Sequence, residues 1–240
     1  MPRIVILGTG TDVGKTHVTV ALTRCLAHRV PTLAVKPVET GTHPSWPTCE
    51  ATRPPDPASD AAALEAASGR ALEHPHPLYA FAQPVSPHRA ARDANVVIDV
   101  PTIVSWIEAI ETRATARSGT LPLVLIETAG GAFSPLHPGI TNAHLAHALE
   151  PALILLVAPD SLGVLHDITA TATALATVPT PAPWVLLTGA RPPDGSTGTH
   201  AAELPVLGGP PVLGTLSRGA HSFEPAVVER LLDLVYPTCT

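Results

Sequence analysis

Short apolar runs and longer periodic segments take turns along this chain. Arg3-Ile-Val-Ile-Leu7 is apolar almost without a break and reads as a strand. A Gly/Thr-rich loop follows, and Val13 to Arg29 reads as a helix. Thr32 to Val38 is a second strand, closed by Glu39-Thr40-Gly41. Proline removes a backbone donor and blocks helix interiors, so the Pro-rich stretch 42–57 must be a loop. Ser59 to Ser68 is Ala-rich and reads as a short helix with Ser59 as its cap. Residues 72–90 are again rich in Pro and His.

Beyond that stretch the alternation resumes. Pro101 to Arg117 carries Ile103, Trp106, Ile107 and Ile110 at helical spacing. Leu121–Glu127 and Ala152–Ala158 are continuous apolar strands, the signature of a sheet covered on both faces. Thr141–Leu149 and Gly163–Thr177 read as helices, Pro183–Thr188 and Pro211–Leu216 as the last strands, and Pro225–Val235 as a closing helix. The stretch 189–210 shows little periodicity. Strand–helix alternation predicts an α/β fold: a doubly wound, mainly parallel sheet with helices on both faces. No internal repeat or linker interrupts it, so residues 1–240 are expected to form one domain.

Composition narrows the function. With 45% apolar residues the chain is not a disordered one, and the net charge of −6 argues against a nucleic-acid partner held by a basic surface. The longest clean apolar run, 152–158, is far short of a membrane span, and the N-terminus shows no signal-peptide pattern. Cys25, Cys49 and Cys239 show no metal or redox spacing. A cytoplasmic protein with no membrane partner is the expectation. Twelve histidines raise the question of zinc, but the close pairs His74/His76 and His144/His147 have no third ligand placed by pattern.

One count is more telling. Lys and Arg together number 14, yet only Lys15 and Lys36 are lysines. A compact ammonium and a planar guanidinium are not interchangeable in a tight phosphate pocket. Lys15 stands in Gly8-Thr-Gly-Thr-Asp-Val-Gly14-Lys15-Thr16, between a strand and a helix. That is the setting of a phosphate-binding loop: glycines let N–H groups converge on an anion, the helix N-terminus adds positive charge, the lysine reaches the β/γ-phosphates and the hydroxyl can ligate Mg²⁺. The spacing is Gly8-x5-Gly14, with Thr9 where the strict pattern wants glycine. Lys36 ends the second strand, and Glu127 ends another; in an open parallel sheet both face the ligand crevice. A strand-end carboxylate is a usual Mg²⁺ ligand in phosphoryl transfer, and Gly130-Gly131 permits close approach of a substrate to backbone N–H groups. Thr40 can bond a substrate or its own turn, and Asp60 reads equally as a helix-start carboxylate or a ligand.

The ordered set of the phosphate loop, Lys36-Pro-Val-x-Thr-Gly41, Ser59-Asp60, Pro84-Val-Ser-Pro-His88, Glu127-Thr-Ala-Gly-Gly131 and Leu162-Gly163 resembles that of the dethiobiotin synthetases. The resemblance is firm over about residues 4–165 and weaker beyond. It implies a P-loop fold and an ATP- and Mg²⁺-dependent ligase of biotin synthesis, which turns 7,8-diaminononanoate and CO₂ into dethiobiotin through a carbamate and a carbamic-phosphoric anhydride. Carried over by position, Thr16, Asp60 and Glu127 would hold Mg²⁺. Asp12, Val13, Gly14, Lys15, Thr16 and His17 would wrap the triphosphate. Lys15 and Lys36 would act on the carbamate and the transferring phosphoryl group, while Thr11 and Thr40 would contact the substrate. The resemblance also implies a homodimer, with the substrate carboxylate of one protomer facing Leu162-Gly163 of the other. The sequence departs from the family in Gly10 for the usual Asp, Asp12 for the usual Glu, and Thr188-Gly189 where many members carry Asn-Asp beside the adenine. Weaker discrimination among nucleoside triphosphates is expected. The competing reading is a nucleotide-switch ATPase of the partitioning or site-selection type. Its usual early lysine is missing here, since Thr9, Gly10 and Thr11 occupy those positions. A corrinoid-amidase-like synthetase would need an attached glutaminase domain.

Overall fold

The computed structural model describes residues 2–42, 58–69, 77–189 and 192–237. Cys49, Cys239, His74, His76 and nearly all of the 42–57 stretch lie outside the described residues. β1 (Arg3–Gly8) leads to α1 (Lys15–Ala27), β2 (Thr32–Val35) and β3 (Val38–Thr40). Next come α2 (Asp60–Ser68), β4 (Tyr79–Phe81), α3 (Pro87–Asp93), α4 (Val100–Ser118) and β5 (Leu123–Glu127). A small hairpin, β6 (Pro135–His137) and β7 (Ile140–Thr141), precedes α5 (Asn142–Ala148), β8 (Leu153–Asp160) and α6 (Val164–Leu175). The chain closes with β9 (Trp184–Gly189), α7 (His200–Val206), β10 (Val212–Leu216) and α8 (Pro225–Val235).

Six strands form one parallel sheet in the order β10-β9-β8-β1-β5-β2. Alternate residues of β1 serve two cores. Ile4 and Ile6 pack with Val18, Leu22 and Leu231 on the α1/α8 face. Val5 and Leu7 pack with Ile103, Ile107 and Leu145 on the α4/α5 face. All six residues of β1 are buried, which explains why its sequence is continuous rather than alternating. From β1 the chain winds outward to β2, returns to β5, then crosses to β8 on the other side. The carboxyl ends around β1 therefore open a crevice.

Helix ends follow local chemistry. The Ser59 hydroxyl accepts from Ala62 N at 3.1 Å, and Glu39 accepts from Asp60 N at 2.7 Å, so two groups satisfy the first amides of α2. Asp99 caps α4 by accepting from Thr102 N at 2.9 Å.

Three expectations change. Thr32–Val38 is not one strand: Pro37 has no N–H for the ladder, so β2 stops at Val35 and β3 pairs with β4 in a separate sheet. Lys36 accordingly stands just past the end of β2. The 72–90 stretch contains β4 and α3, and 189–210 contains α7. Among the described residues no group of three His, Cys, Asp or Glu side chains gathers. The His144 ring caps Thr141 N at 3.2 Å, and His147 meets the Pro179 carbonyl at 2.9 Å. No described helix is long and apolar enough to cross a membrane.

Candidate active site

A cavity of about 620 Å³ opens at the carboxyl ends of the parallel strands. The loop from β1 to α1 forms its floor. Asp12 and Gly14 both take positive φ, 57° and 90°, so the chain coils back on itself before the helix begins. Only glycine adopts the second angle without strain. A Cβ at Gly14 would also lie 3.0 Å from the Thr188 methyl. Thr188 secures this floor: its hydroxyl donates to Val13 O at 2.8 Å. Thr11, Asp12, Val13, Gly14, Lys15, Thr16 and His17 all border the cavity.

Lys36, Thr40, Asp60 and Glu127 line the same space. Lys36 Nζ donates to Glu127 Oε1 at 2.8 Å and is ion-paired with Asp60 Oδ2. Thr16 Oγ1 donates to that same Glu127 oxygen at 2.7 Å. Thr19 Oγ1, one helical turn deeper, donates to Glu127 Oε2 at 2.9 Å. Glu127 is completely buried yet receives three bonds, which answers the cost of burying a carboxylate. Lys15 Nζ donates to the Gly10 carbonyl at 3.2 Å.

The two ammonium groups lie in different fields. Burial pulls Lys36 down, but the Glu127 and Asp60 carboxylates outweigh it, and its pKa ends above the ordinary lysine value. Burial also pulls Lys15 down; Glu127 only partly counters this, the charge on Lys36 adds to it, and its pKa ends below the ordinary value.

Thr16, Asp60 and Glu127 are hard oxygen donors around one ammonium. Mg²⁺ keeps several waters and takes one or two carboxylates plus phosphate oxygens, so this donor set fits it.

Thr188 and Gly189 border the cavity at its far side. The Thr188 hydroxyl is engaged with the loop, and a Cβ at Gly189 would strike Arg218 N at 2.5 Å. Glycine is thus required for the segment after β10 to close against β9. Arg218 and its neighbours Ser217 and Gly219 border the cavity too, and sequence reasoning missed them. So it did Thr19, Glu39 and Asn142, polar residues in helices and strand ends that reach the site across the fold. Their long-range bonds leave no periodic signal.

Gly130 lines the cavity, whereas Gly131 packs beneath it, where a Cβ would lie 3.3 Å from Gly10 Cα. Leu162 and Gly163 lie outside the cavity. Leu162 is 82% exposed, and Gly163 caps α6. Asp194 fixes this turn by accepting from Leu162 N at 2.8 Å. His88 bonds Ser86 Oγ at 2.5 Å, outside the residues that line the cavity.

The chain is similar to several known proteins. A family model described as an AAA domain covers residues 2–222. An ATP-dependent dethiobiotin synthetase BioD of Caulobacter sp. (strain K31) is 33% identical, over 99% of this chain and 97% of that protein. Its counterpart in Streptomyces coelicolor is 34% identical, over 94% of this chain and 88% of that protein. Among solved structures, the MinC:MinD cell division protein complex of Aquifex aeolicus aligns with a TM-score of 0.51 at 15% identity, covering 98% of this chain and 85% of that one. A ParA family ATPase from Chlorobium tepidum TLS aligns at 0.50 and 14% identity, covering 97% and 89%. These two likenesses concern the fold alone.

Proposed function

Since this chain belongs to the family of ATP-dependent dethiobiotin synthetases, we propose that it closes the ureido ring of dethiobiotin from 7,8-diaminononanoate, CO₂ and a nucleoside triphosphate. It is an ATP-dependent ligase of biotin synthesis by that membership. The observation that carries the finer reading is that both lysines of the chain line one cavity with Glu127 and Asp60.

The reaction brings anions together. One amine adds to CO₂ and sheds a proton, leaving a carbamate. A carbamate oxygen attacks the γ-phosphorus, and the bond from that phosphorus to the β-bridging oxygen breaks, releasing the nucleoside diphosphate. The second amine then attacks the carbonyl carbon. The C–O bond of the mixed anhydride breaks, phosphate leaves with that oxygen, and the amine proton is lost. No covalent enzyme intermediate is needed. What the chain supplies is fixed positive charge where negative charge gathers.

Lys15 bridges the phosphates and the carbamate, reaching both from the loop. Lys36, held charged by its two carboxylates, offsets the charge of the carbamate and the transferring phosphoryl group. Thr11 and Thr40 contact the diamine, and the Gly130-Gly131 backbone lies against it. Asp12 to His17 wrap the triphosphate, and Thr188 and Gly189 border its base. Thr16, Asp60 and Glu127 would hold Mg²⁺, which when bound neutralises the phosphate oxygens. One domain spanning residues 1–240 carries all of this. Two protomers pair so that the exposed Leu162-Gly163 turn of one meets the substrate carboxylate bound by the other. The site needs neither nucleic acid nor membrane, and the cytoplasm suits its substrates.

Incubation with 7,8-diaminononanoate, bicarbonate, Mg²⁺ and ATP tests the reading. Dethiobiotin, identified by mass, should form only when all four are present. Hydrolysis that ignores diamine and bicarbonate but responds to DNA or lipid vesicles would overturn it in favour of a nucleotide switch.

A further inference from the structure

Asn142 is the first residue of α5 and is 1% exposed. It does not border the cavity. Its Nδ2 nevertheless donates twice to the loop that does, to Ala129 O at 2.7 Å and to Gly131 O at 2.9 Å. Two carbonyl acceptors fix which end of the amide is which, because only the NH₂ group can donate to both. The amide therefore clamps the chain on either side of Gly130.

That glycine is the bend in the loop. Its φ is 78°, and a Cβ there would meet Ser134 Oγ at 2.5 Å and lie 3.7 Å from Thr11 Oγ1. Three neighbouring N–H groups are already engaged. Gly131 N donates to Ser134 Oγ at 2.9 Å, Ala132 N to Gly8 O at 2.8 Å, and Thr128 N to Ile6 O at 3.1 Å. The N–H groups of Ala129 and Gly130 have no acceptor among the described residues, and both residues border the cavity beside the phosphate loop. The loop carbonyls are tied back to Asn142 while these two donors remain for something else.

The amide is held at a cost. Asn142 Oδ1 is buried without a donor. A buried unpaired acceptor opposes folding. What an apolar residue cannot supply is two donors aimed at two carbonyls, two positions apart, on either side of a bend.

We propose that Asn142 is a positioning residue. It holds Ala129–Gly131 so that the Ala129 and Gly130 N–H groups meet an oxygen of the anionic carbamate–phosphoryl centre. This rests on the ring-closure reading above. The contribution is to preorganised donors, which act where charge develops rather than in nucleotide binding.

The test compares wild type with Asn142→Asp, which keeps the shape but loses both donors when ionised, and with Asn142→Ser, which keeps one hydroxyl. Activity is normalised to protein that is folded and binds ATP. Both variants should lose kcat, by at least about tenfold for Asn142→Asp, while the Kd for ATP stays within about twofold. Amide exchange over 128–134 should quicken in both. Unchanged kcat per folded molecule, or a Kd for ATP that weakens in step with kcat, would overturn the proposal. Should Asn142→Asp fail to fold, Asn142→Ser decides by the same two criteria. If wild type makes no dethiobiotin, the ring-closure reading fails instead, and the exchange data alone show whether Asn142 holds the loop.

Discussion

Lys36 Nζ stands 2.8 Å from Glu127 Oε1, and that oxygen also accepts from Thr16, the hydroxyl at the start of α1. One carboxylate thus joins the end of β2, the end of β5 and the phosphate loop. Parallel pairing makes this possible: β5 lies between β1 and β2, so Glu127 emerges level with Ile6 on one side and one residue past the Val35–Ile126 pair on the other.

Replacing Lys36 by Ala should abolish turnover, by about a thousandfold or more, because the lost charge acts on the transferring group. It should also lower stability by about 3 kcal/mol, since Glu127 is left buried without its cation. Calorimetry should find ATP affinity largely kept. Lys36→Arg should fail as well, because a planar guanidinium does not fit a slot shaped for an ammonium. Loss of ATP affinity in Lys36→Ala would assign the residue to the nucleotide.

Nucleotide choice should be loose. The Thr188 hydroxyl is spent on Val13 O, and Gly189 has no side chain to read an amide edge. Initial rates with ATP, CTP, GTP and UTP should differ by less than about a hundredfold, the discrimination a dedicated hydrogen-bonding site exceeds. A larger preference for ATP contradicts this.

The turn at Leu162 should survive acid. Bonds from the Ser196 hydroxyl, Leu162 N and Ser196 N hold the Asp194 carboxyl at about 2, below its ordinary 3.8. A carboxyl depressed on folding stabilises fully above 3.8 and loses that contribution as pH falls towards 2. The gap in thermal midpoint between wild type and Asp194→Asn should therefore shrink across that window. A gap that does not change with pH would show that Asp194 is not depressed.

Ser59→Ala removes the cap of the helix that carries Asp60 and should cost about 1 kcal/mol in denaturant unfolding. Glu39 still satisfies Asp60 N and Ala61 N, so the helix should remain and only the Mg²⁺ requirement should rise. Collapse of activity at saturating Mg²⁺ would mean that Ser59 does more than cap.

The sheet and the two lysines were legible because their signals are local. Unbroken apolar runs marked β1, β5 and β8, and lysine scarcity marked Lys15 and Lys36. What stayed hidden depends on partners distant in sequence. β4 and the β6–β7 hairpin are too short for a period to show, and α7 contains Pro205, which masks a helix. The break at Pro37 was visible as a proline, but not that β3 would leave the main sheet for β4. Asn142 and Thr19 reach the site through residues 11 to 108 positions away and Arg218 through a shared cavity, and no spacing rule reaches that far.

Oxygen tracing tests the central claim most directly. If a carbamate attacks the γ-phosphorus between Lys15 and Lys36, one oxygen of CO₂ must leave with phosphate. A single turnover with ¹⁸O-labelled CO₂, faster than its exchange with water, should yield phosphate carrying one labelled oxygen and dethiobiotin carrying the other. Unlabelled phosphate would contradict the account.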